Sequence, residues 1–550
     1  MTKNKFITFS VYLYIALPFL IFAAGFLKWY FALPVFTATL AAVCLGAKSS
    51  CGITSLPFSK KEILPLISGA VIIVLMVLLS GIGDVFWQNN DHATRNTIFK
   101  ILSEYSWPPK YITDAGNEVG MVYYIGFWLP SAIISKLFSL SWGYVFQIIW
   151  ASLGLFLLWY MLCVMHKKIV IYPLIIFLFF SGIDTVAHSL VDMLYSNLSN
   201  LQIGKWAFSQ GSPLTYHIEW WANYFQYSSH TTQLFWVFNQ CIPVWLATVL
   251  IILEKNNRNM VLIMGLTLLS STLPFIGLIP IFVWCAVCDH EGDYLDRPFT
   301  KDVKKSFFSL FTYQNIVGGG LSGILSFLYL KGNIASAATS TQANSTQAAQ
   351  SGFSFSVFVI VLVIYAAAFL CLCNKDFKPT KLLYLIPALP LAFLMARLPI
   401  YKLSYYLMFI IFEFILLSLL LIPAHGKSSL FFVTLSCLLI VPFFTVGKSI
   451  DFCMRASIPL LVVLCLFTIS AVKKYFDEDK QILATLLCAA LMLGAITPIT
   501  EIARTVEATA YEISTKGSVV NDSKTIHQVF GGKNFTGRTE NNVFFEIFAK

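Results

Sequence analysis

The chain has 550 residues, 57% of them hydrophobic, 16% aromatic and 12% charged, whereas soluble proteins carry about 25% charged residues, so a soluble globular domain is excluded. Apolar runs of about 17–25 residues between short charged segments call for spanning helices and exclude a membrane barrel, whose strands alternate polar and apolar residues. The net charge of +10 reads as Lys and Arg that orient the spans and touch anionic lipid rather than as a nucleic-acid surface, and cysteines such as Cys163, Cys371 and Cys465 lie inside apolar runs, where a disulfide framework has no place.

The expected fold is an all-α polytopic membrane protein of roughly 13–15 transmembrane helices. Residues 1–498 form the membrane domain, with outer loops 84–141 and 183–240, and residues 499–550 form a small extracytoplasmic tail, too short to bury a core of its own. Lys3 and Lys5 precede a first span ending near Leu27. A second runs to about Gly46, and a basic loop with Lys48, Lys60 and Lys61 leads into a third over 63–83. With the basic clusters on the cytoplasmic side, the N-terminus is cytoplasmic and residues 84–120 emerge outside. There Ile98, Ile101, Leu102 and Tyr105 recur at helical spacing beside His92, Arg95, Asn96, Lys100 and Glu104, the pattern of an amphipathic helix on the membrane surface, which Trp107, Pro108 and Pro109 stop.

The run 121–138 reads as interfacial or re-entrant, because only then does 142–165 carry His166, Lys167 and Lys168 to the cytoplasm. A short span over 169–182 returns to the outer loop 183–240. Spans follow at 241–254, 259–273 and 274–288, then a charged cytoplasmic loop (289–305), a Gly-rich span (307–330) and a polar low-complexity segment (332–352). Six more spans, over 354–373, 382–397, 404–422, 429–446, 456–472 and 482–498, leave the tail outside.

Asp84 and Asp91 lie just past the end of the third apolar run, and carboxylates at a membrane mouth need a reason. Asp91 has two readings: the N-cap of the amphipathic helix, and a general base taking a proton from an acceptor hydroxyl or amine. Asp84 shares that task or supports it. Arg95, Arg397, Lys402, Lys448 and Arg455 sit on the outer side near span ends, where a charge is costly unless it snorkels, pairs or meets a ligand. Arg455 reads as the partner of Asp451 one turn earlier or as a phosphate clamp, since guanidinium grips phosphate bidentately. The stretch 217–240, with His217, Glu219, Trp220, Gln226 and His230, interleaves rings with amides and hydroxyls, as an interface belt or a sugar-binding surface does. No HExxH or comparable spacing joins His188, His217, His230 and Glu219, so neither a divalent metal nor another cofactor is expected.

At these residues the chain resembles the GT-C fold membrane glycosyltransferases, multispan enzymes that use polyprenyl-phosphate sugars. The likeness lies in a first outer loop whose acidic residues follow a span exit (Asp84, Asp91), an amphipathic helix, and an aromatic and proline-bearing stretch leading into an interfacial helix (Tyr123, Tyr124, Pro130). The chain departs from the common pattern in having two extra spans before that loop and no PP-leucine motif after it. The resemblance implies an inverting transfer in which Asp91 deprotonates the acceptor and Arg397 and Arg455 steady the leaving phosphate. It implies a polyprenyl-phosphate-linked sugar donor, a glycan, lipid or protein acceptor, contact with membrane lipids, and residence in a bacterial plasma (inner) membrane. Two other classes compete. A lipid-linked oligosaccharide flippase or other transporter wants polar groups in mid-span, of which Glu413 is a single instance; a surface-polysaccharide polymerase or ligase gathers its arginines in one large outer loop.

Overall fold

Lys3–Phe26 (α1) and Trp29–Ser49 (α2) are apolar nearly all round and turn on Leu27 and Lys28. Ile63–Leu79 (α3) follows a capping box in which Ser59 and Glu62 bond reciprocally. The computed structural model describes residues 3–113, 116–195, 217–290, 292–333, 354–373, 385–445, 450–530 and 535–550, and it is 74% helical. Among the described residues eight helices are long and apolar enough to cross a membrane, including α1, α2, α3, Leu140–His166 (the later α6) and Ile458–Asp477. The chain is thus an all-α membrane protein.

The expected count of 13–15 spans is not reached by helices of that length. Several expected spans are short helices: Tyr172–Leu178 has 7 residues, Met260–Leu268 has 9 and Ala388–Ala396 has 9. At 1.5 Å per residue, nine residues cover about 14 Å, half the hydrocarbon thickness. Polar breaks divide the apolar runs: after Met260–Leu268 the chain stops at Ser270 and Ser271, and the Ser271 hydroxyl bonds to Gln240 O at 2.6 Å. Expected span 382–397 falls partly, and Lys448 wholly, outside the described residues.

The bundle has two chemically distinct ends. At the basic end Ser49 meets Asn259, Leu56 N bonds to the Tyr160 hydroxyl, and Ser428 bonds to Leu295 O; His166 and Lys473 line one cavity there. At the opposite end the chain's last residues fold back over its first loop. Lys28 N bonds to Phe548 O at 2.8 Å and Lys550 N to Phe26 O at 3.0 Å. Strand β2 (Glu118–Met121) pairs antiparallel on one side with β1 (Lys110–Ile112) and on the other with β3 (Thr536–Arg538), matching Gly120 to Gly537. Gly120 is glycine because a Cβ there would strike the Phe545 ring.

Asn90–Glu104 (α4) is the expected amphipathic helix, with a correction: it does not lie open on a membrane surface. Its polar face is buried too, with His92 1%, Arg95 5% and Asn96 7% exposed, because Phe235 and Phe238 cover His92 and Arg95 while the tail covers Ala93, Asn96 and Thr97. Lys524 N bonds to Ala93 O, and the Thr97 hydroxyl bonds to Lys524 O. Leu129–Leu137 (α5) is 9 residues long, too short to cross, and precedes the 27-residue Leu140–His166 (α6). Tyr172–Leu178 (α7) and Asp184–Tyr195 (α8) follow.

His230–Leu253 (α9) is the core of the bundle: 94% of its apolar window is buried. It is not a straight rod. Val237 has non-helical φ −140° and ψ 33°. Trp245 Nε1 donates to Gln233 Oε1 at 3.0 Å and the His230 and Trp245 rings lie 5.5 Å apart, whereas twelve or fifteen residues along one helix span about 18 to 22 Å. The chain therefore doubles back at Val237. An arm over 230–236 rises beside the arm over 238–253, and the apex at Phe235–Phe238 meets α4.

Met260–Leu268 (α10) and Thr272–Val287 (α11) complete that core. Gly277 on α11 lies against the backbone of Ala456, whose carbonyl oxygen a Cβ would overlap. Gly277→Ala is expected to push the neighbouring Asp451–Ala456 helix aside, with a destabilisation of about 1–3 kcal/mol read as a lowered unfolding midpoint in detergent. An unchanged midpoint would show that the two helices separate freely.

Candidate functional site

Asn89, not Asp91, caps α4: its side-chain oxygen accepts from Asp91 N at 3.1 Å. This corrects one of the two readings of Asp91. Its carboxylate instead points along the helix to Arg95, where Oδ2 lies 3.0 Å from Nη2, and it remains 48% exposed while the Arg95 side chain is 6% exposed. The i, i+4 spacing puts the pair on one face. The arginine is pinned beneath, 5.7 Å over the Phe238 ring at the apex of the doubled-back helix.

Arg455 reaches the same place from the far end of the chain. Its Nη1 donates to the Tyr124 hydroxyl at 2.9 Å and its Nη2 lies 3.3 Å from Asp451. The Tyr123 and Tyr124 rings lie 3.6 Å apart. Burial pushes the Tyr123 phenol up, Tyr124 adds to that, and Arg455 and Arg95 both oppose it; Asp91 in turn acts on Arg455. Asp91, Arg95, Tyr123, Tyr124, Asp451 and Arg455 thus form one electrostatic neighbourhood. Within it Nη1 of Arg95 and Nε of Arg455 are buried with no hydrogen-bond partner. A buried charged donor left unmade costs more than a neutral one, about 1–3 kcal/mol or above, so an acceptor reaching these two atoms is favoured, and an anion more than a neutral group.

The other candidates are placed elsewhere. Asp84 has φ 64° and accepts from Asn521 Nδ2 at 2.9 Å, so it ties the tail to the loop and its partners are not those of Asp91. Arg397 lies 4.2 Å over the Phe393 ring and Lys402 5.0 Å over that of Tyr224; neither has a hydrogen bond or ion pair with Asp91, Arg95 or Arg455. His230 sits deep among Phe177, Phe180 and Trp245, with Nδ1 2.8 Å from Phe177 O, a packed core histidine.

His217, Glu219, Trp220 and Gln226 belong to a polar segment buried between the apex of α9 and the later helices. Glu219 is fully bonded: Oε1 accepts from Ser229 N at 2.9 Å and Oε2 from Gln226 Nε2 at 3.0 Å. His217 stacks on Trp220 with centroids 5.3 Å apart, and its Nε2 lies 3.7 Å from Glu501. Glu501 also accepts from Trp236 Nε1 at 3.0 Å and from Arg504 at 2.5 Å, and Arg504 lies 5.2 Å over Trp236 and 6.0 Å over Trp87. Trp220 is 47% exposed. Rings, a carboxylate and a guanidinium are therefore gathered around Trp236 at the Phe235–Phe238 apex, with Glu501 3% and Arg504 4% exposed.

Sequence reasoning missed Glu501, Arg504 and Asp184. Asp184 is 1% exposed and takes three donors, Trp221 Nε1, the Ser181 hydroxyl and the Thr497 hydroxyl, each at 3.0 Å. Glu413, noted within its span, stands beside Asp184 on a π-turn, Ile411–Ile415, with Oε1 buried and unpartnered. The one signal for Glu501 and Arg504 is their i, i+3 spacing just past an apolar run.

His92 fixes the joint between α4 and the apex. Its Nε2 is 2.9 Å from Phe235 O, which also accepts from Asn89 at 2.9 Å. Burial, with Arg95 next, depresses its pKa to about 3. A histidine whose folded pKa lies below its unfolded value of about 6.5 is kept neutral by folding, so its contribution holds above that value and is lost as pH falls toward the folded one. Between pH 7 and pH 5 the wild type is expected to lose about 2 kcal/mol through this residue, and His92→Gln, which keeps a donor, to lose correspondingly less; thermal midpoints at the two pH values decide it, and equal losses would overturn it.

Among the described residues no group of three or more His, Cys, Asp or Glu is placed to hold a metal ion. Compared with known protein families, with characterised proteins and with solved structures, the chain matches none, so the reading of its function stands on this geometry alone.

Proposed function

We propose that the protein is a membrane glycosyltransferase that moves a sugar from a polyprenyl-phosphate donor to an acceptor at the end of the bundle opposite the basic loops. The observation that carries this is that Arg95 and Arg455, each with a buried unpartnered donor, both act on the Tyr123 phenol beside the half-exposed carboxylate of Asp91. In this reading the basic loops lie in the cytoplasm, with this cluster, the tail and the first loop on the extracytoplasmic face of a plasma membrane and the N-terminus inside.

In this reading the two guanidinium groups and the Tyr123 and Tyr124 phenols hold the donor phosphate. The acceptor hydroxyl attacks the sugar C1 from the side away from that phosphate. The C1–O bond to phosphate breaks, polyprenyl phosphate leaves with the bonding pair, and Asp91 takes the acceptor proton, so the anomeric centre inverts. Donors aimed at the leaving oxygen stabilise the charge that develops there. Trp220 and Trp236 offer rings to a sugar acceptor.

The test is to supply the purified chain in proteoliposomes with polyprenyl-phosphate sugars and to measure free polyprenyl phosphate and glycosylated acceptor. Product that requires the lipid-linked donor supports the reading; the absence of product across donor sugars sinks it. A second reading has one specific support. Glu413 lies in a span with a buried unpartnered oxygen beside Asp184, and intramembrane carboxylates commonly mark ion or proton pathways. A lipid-linked oligosaccharide transporter would move label across the same proteoliposome membrane without cleaving the phosphate bond, and would lose that movement in Glu413→Gln.

A further inference from the structure

At the basic end, far from the cluster above, the seven-residue α7 stands beside the much longer α6 and the helix Ile458–Asp477. The mismatch leaves a cleft of about 480 Å³ where the three meet, lined by His166, Lys168, Tyr172, Lys473 and Asp477 and walled by Val170, Ile176, Val472 and Phe476. His166 and Lys473 also line an adjoining cavity of about 180 Å³ that runs inward past Ser470 and Tyr294.

Two features give the cleft its chemistry. Its charge is in excess on the positive side: two ammonium groups face a single carboxylate, and neither Lys168 nor Lys473 has an ion-pair partner among the described residues. Its floor is polar, with the Tyr172 hydroxyl 3.1 Å from His166 Nδ1, while its walls are apolar, and Phe476 at the rim is 65% exposed. A free inorganic anion has no use for that wall, and an uncharged lipid has none for the lysines. An amphiphile with an anionic head satisfies both, and basic pockets between spanning helices on the cytoplasmic side suit such heads.

We propose that this cleft binds an anionic phospholipid, its phosphate between Lys168 and Lys473 and its glycerol and upper acyl chain along Val170, Ile176 and Phe476. The site is independent of the transfer reaction and stands or falls separately from it. The measurement is lipid retained by the full chain, in nanodiscs of phosphatidylcholine with graded phosphatidylglycerol and by mass spectrometry after detergent exchange. The wild type is expected to retain phosphatidylglycerol over phosphatidylcholine. K168Q/K473Q is expected to bind it about thirtyfold more weakly, at about 1 kcal/mol for each lysine near the surface, with binding restored in K168R/K473R, which keeps both charges. Equal retention of the two lipids by the wild type overturns the proposal, as does undiminished retention by the glutamine variant. Should inorganic phosphate displace the lipid at millimolar concentration, the cleft takes a free anion instead and the lipid assignment falls. A glutamine variant that fails to fold leaves the comparison of lipids on the wild type, and the arginine variant, to decide.

Discussion

Asp91→Asn is expected to lower sugar transfer by about a thousandfold, within the range that a positioned general base contributes, while leaving protein abundance in membranes unchanged. The two halves of that expectation come from separate observations. Abundance holds because α4 is capped by Asn89 rather than Asp91 and because the Asp91 carboxylate is 48% exposed. Asparagine also keeps an oxygen for Arg95 Nη2 to bond. Activity falls because an amide has no basic oxygen to take the acceptor proton. The measurement is initial rate per quantity of protein, with Asp84→Asn alongside. Asp84 accepts from Asn521, a bond that the asparagine oxygen keeps, so Asp84→Asn should have a far smaller effect on rate. If Asp91→Asn transfers sugar at the wild-type rate, Asp91 is not the base.

Arg455→Ala is expected to lower transfer about 10²–10³-fold, the usual consequence of deleting one donor to a developing oxyanion. Arg455→Lys should recover only part of it, since an ammonium cannot present two parallel N–H groups to a phosphate. The observed pair with Asp451 at 3.3 Å makes the opposite outcome meaningful. Were that pair all that Arg455 does, Arg455→Ala would alter stability slightly and leave the rate alone, because Asp451 is itself 46% exposed and can be solvated. Product inhibition separates the two roles further: free polyprenyl phosphate should inhibit the wild type and lose its grip on Arg455→Ala, while Asp91→Asn still binds it.

Residues that lie near one another along the chain were legible before any fold was known. The helical spacing over 98–105, the Asp91–Arg95 and Asp451–Arg455 intervals, and the basic clusters all follow from a 3.6-residue period or from local charge. The membrane class follows from composition alone. Helix length was less legible, because hydropathy counts apolar residues and does not see where a helix breaks: the expected spans 259–273 and 274–288 are helices of 9 and 16 residues that part at Ser270 and Ser271, where the Ser271 hydroxyl bonds to Gln240 O.

What only the tertiary structure decided is which distant segments meet. Arg455 joins Tyr124, 331 residues away in the chain; Arg397, chemically its equal in the sequence, does not join them. The polar face of α4 is buried because residues 522–524 close over Ala93, Asn96 and Thr97 while Phe235 and Phe238 cover His92 and Arg95, and α9, expected as the end of the outer loop 183–240 followed by a span over 241–254, instead turns back at Val237. The reason is physical: apolar periodicity specifies that a face must be covered and says nothing of what covers it, since burial is non-directional, whereas placing a buried guanidinium depends on particular partners brought to it by the packing of every other helix.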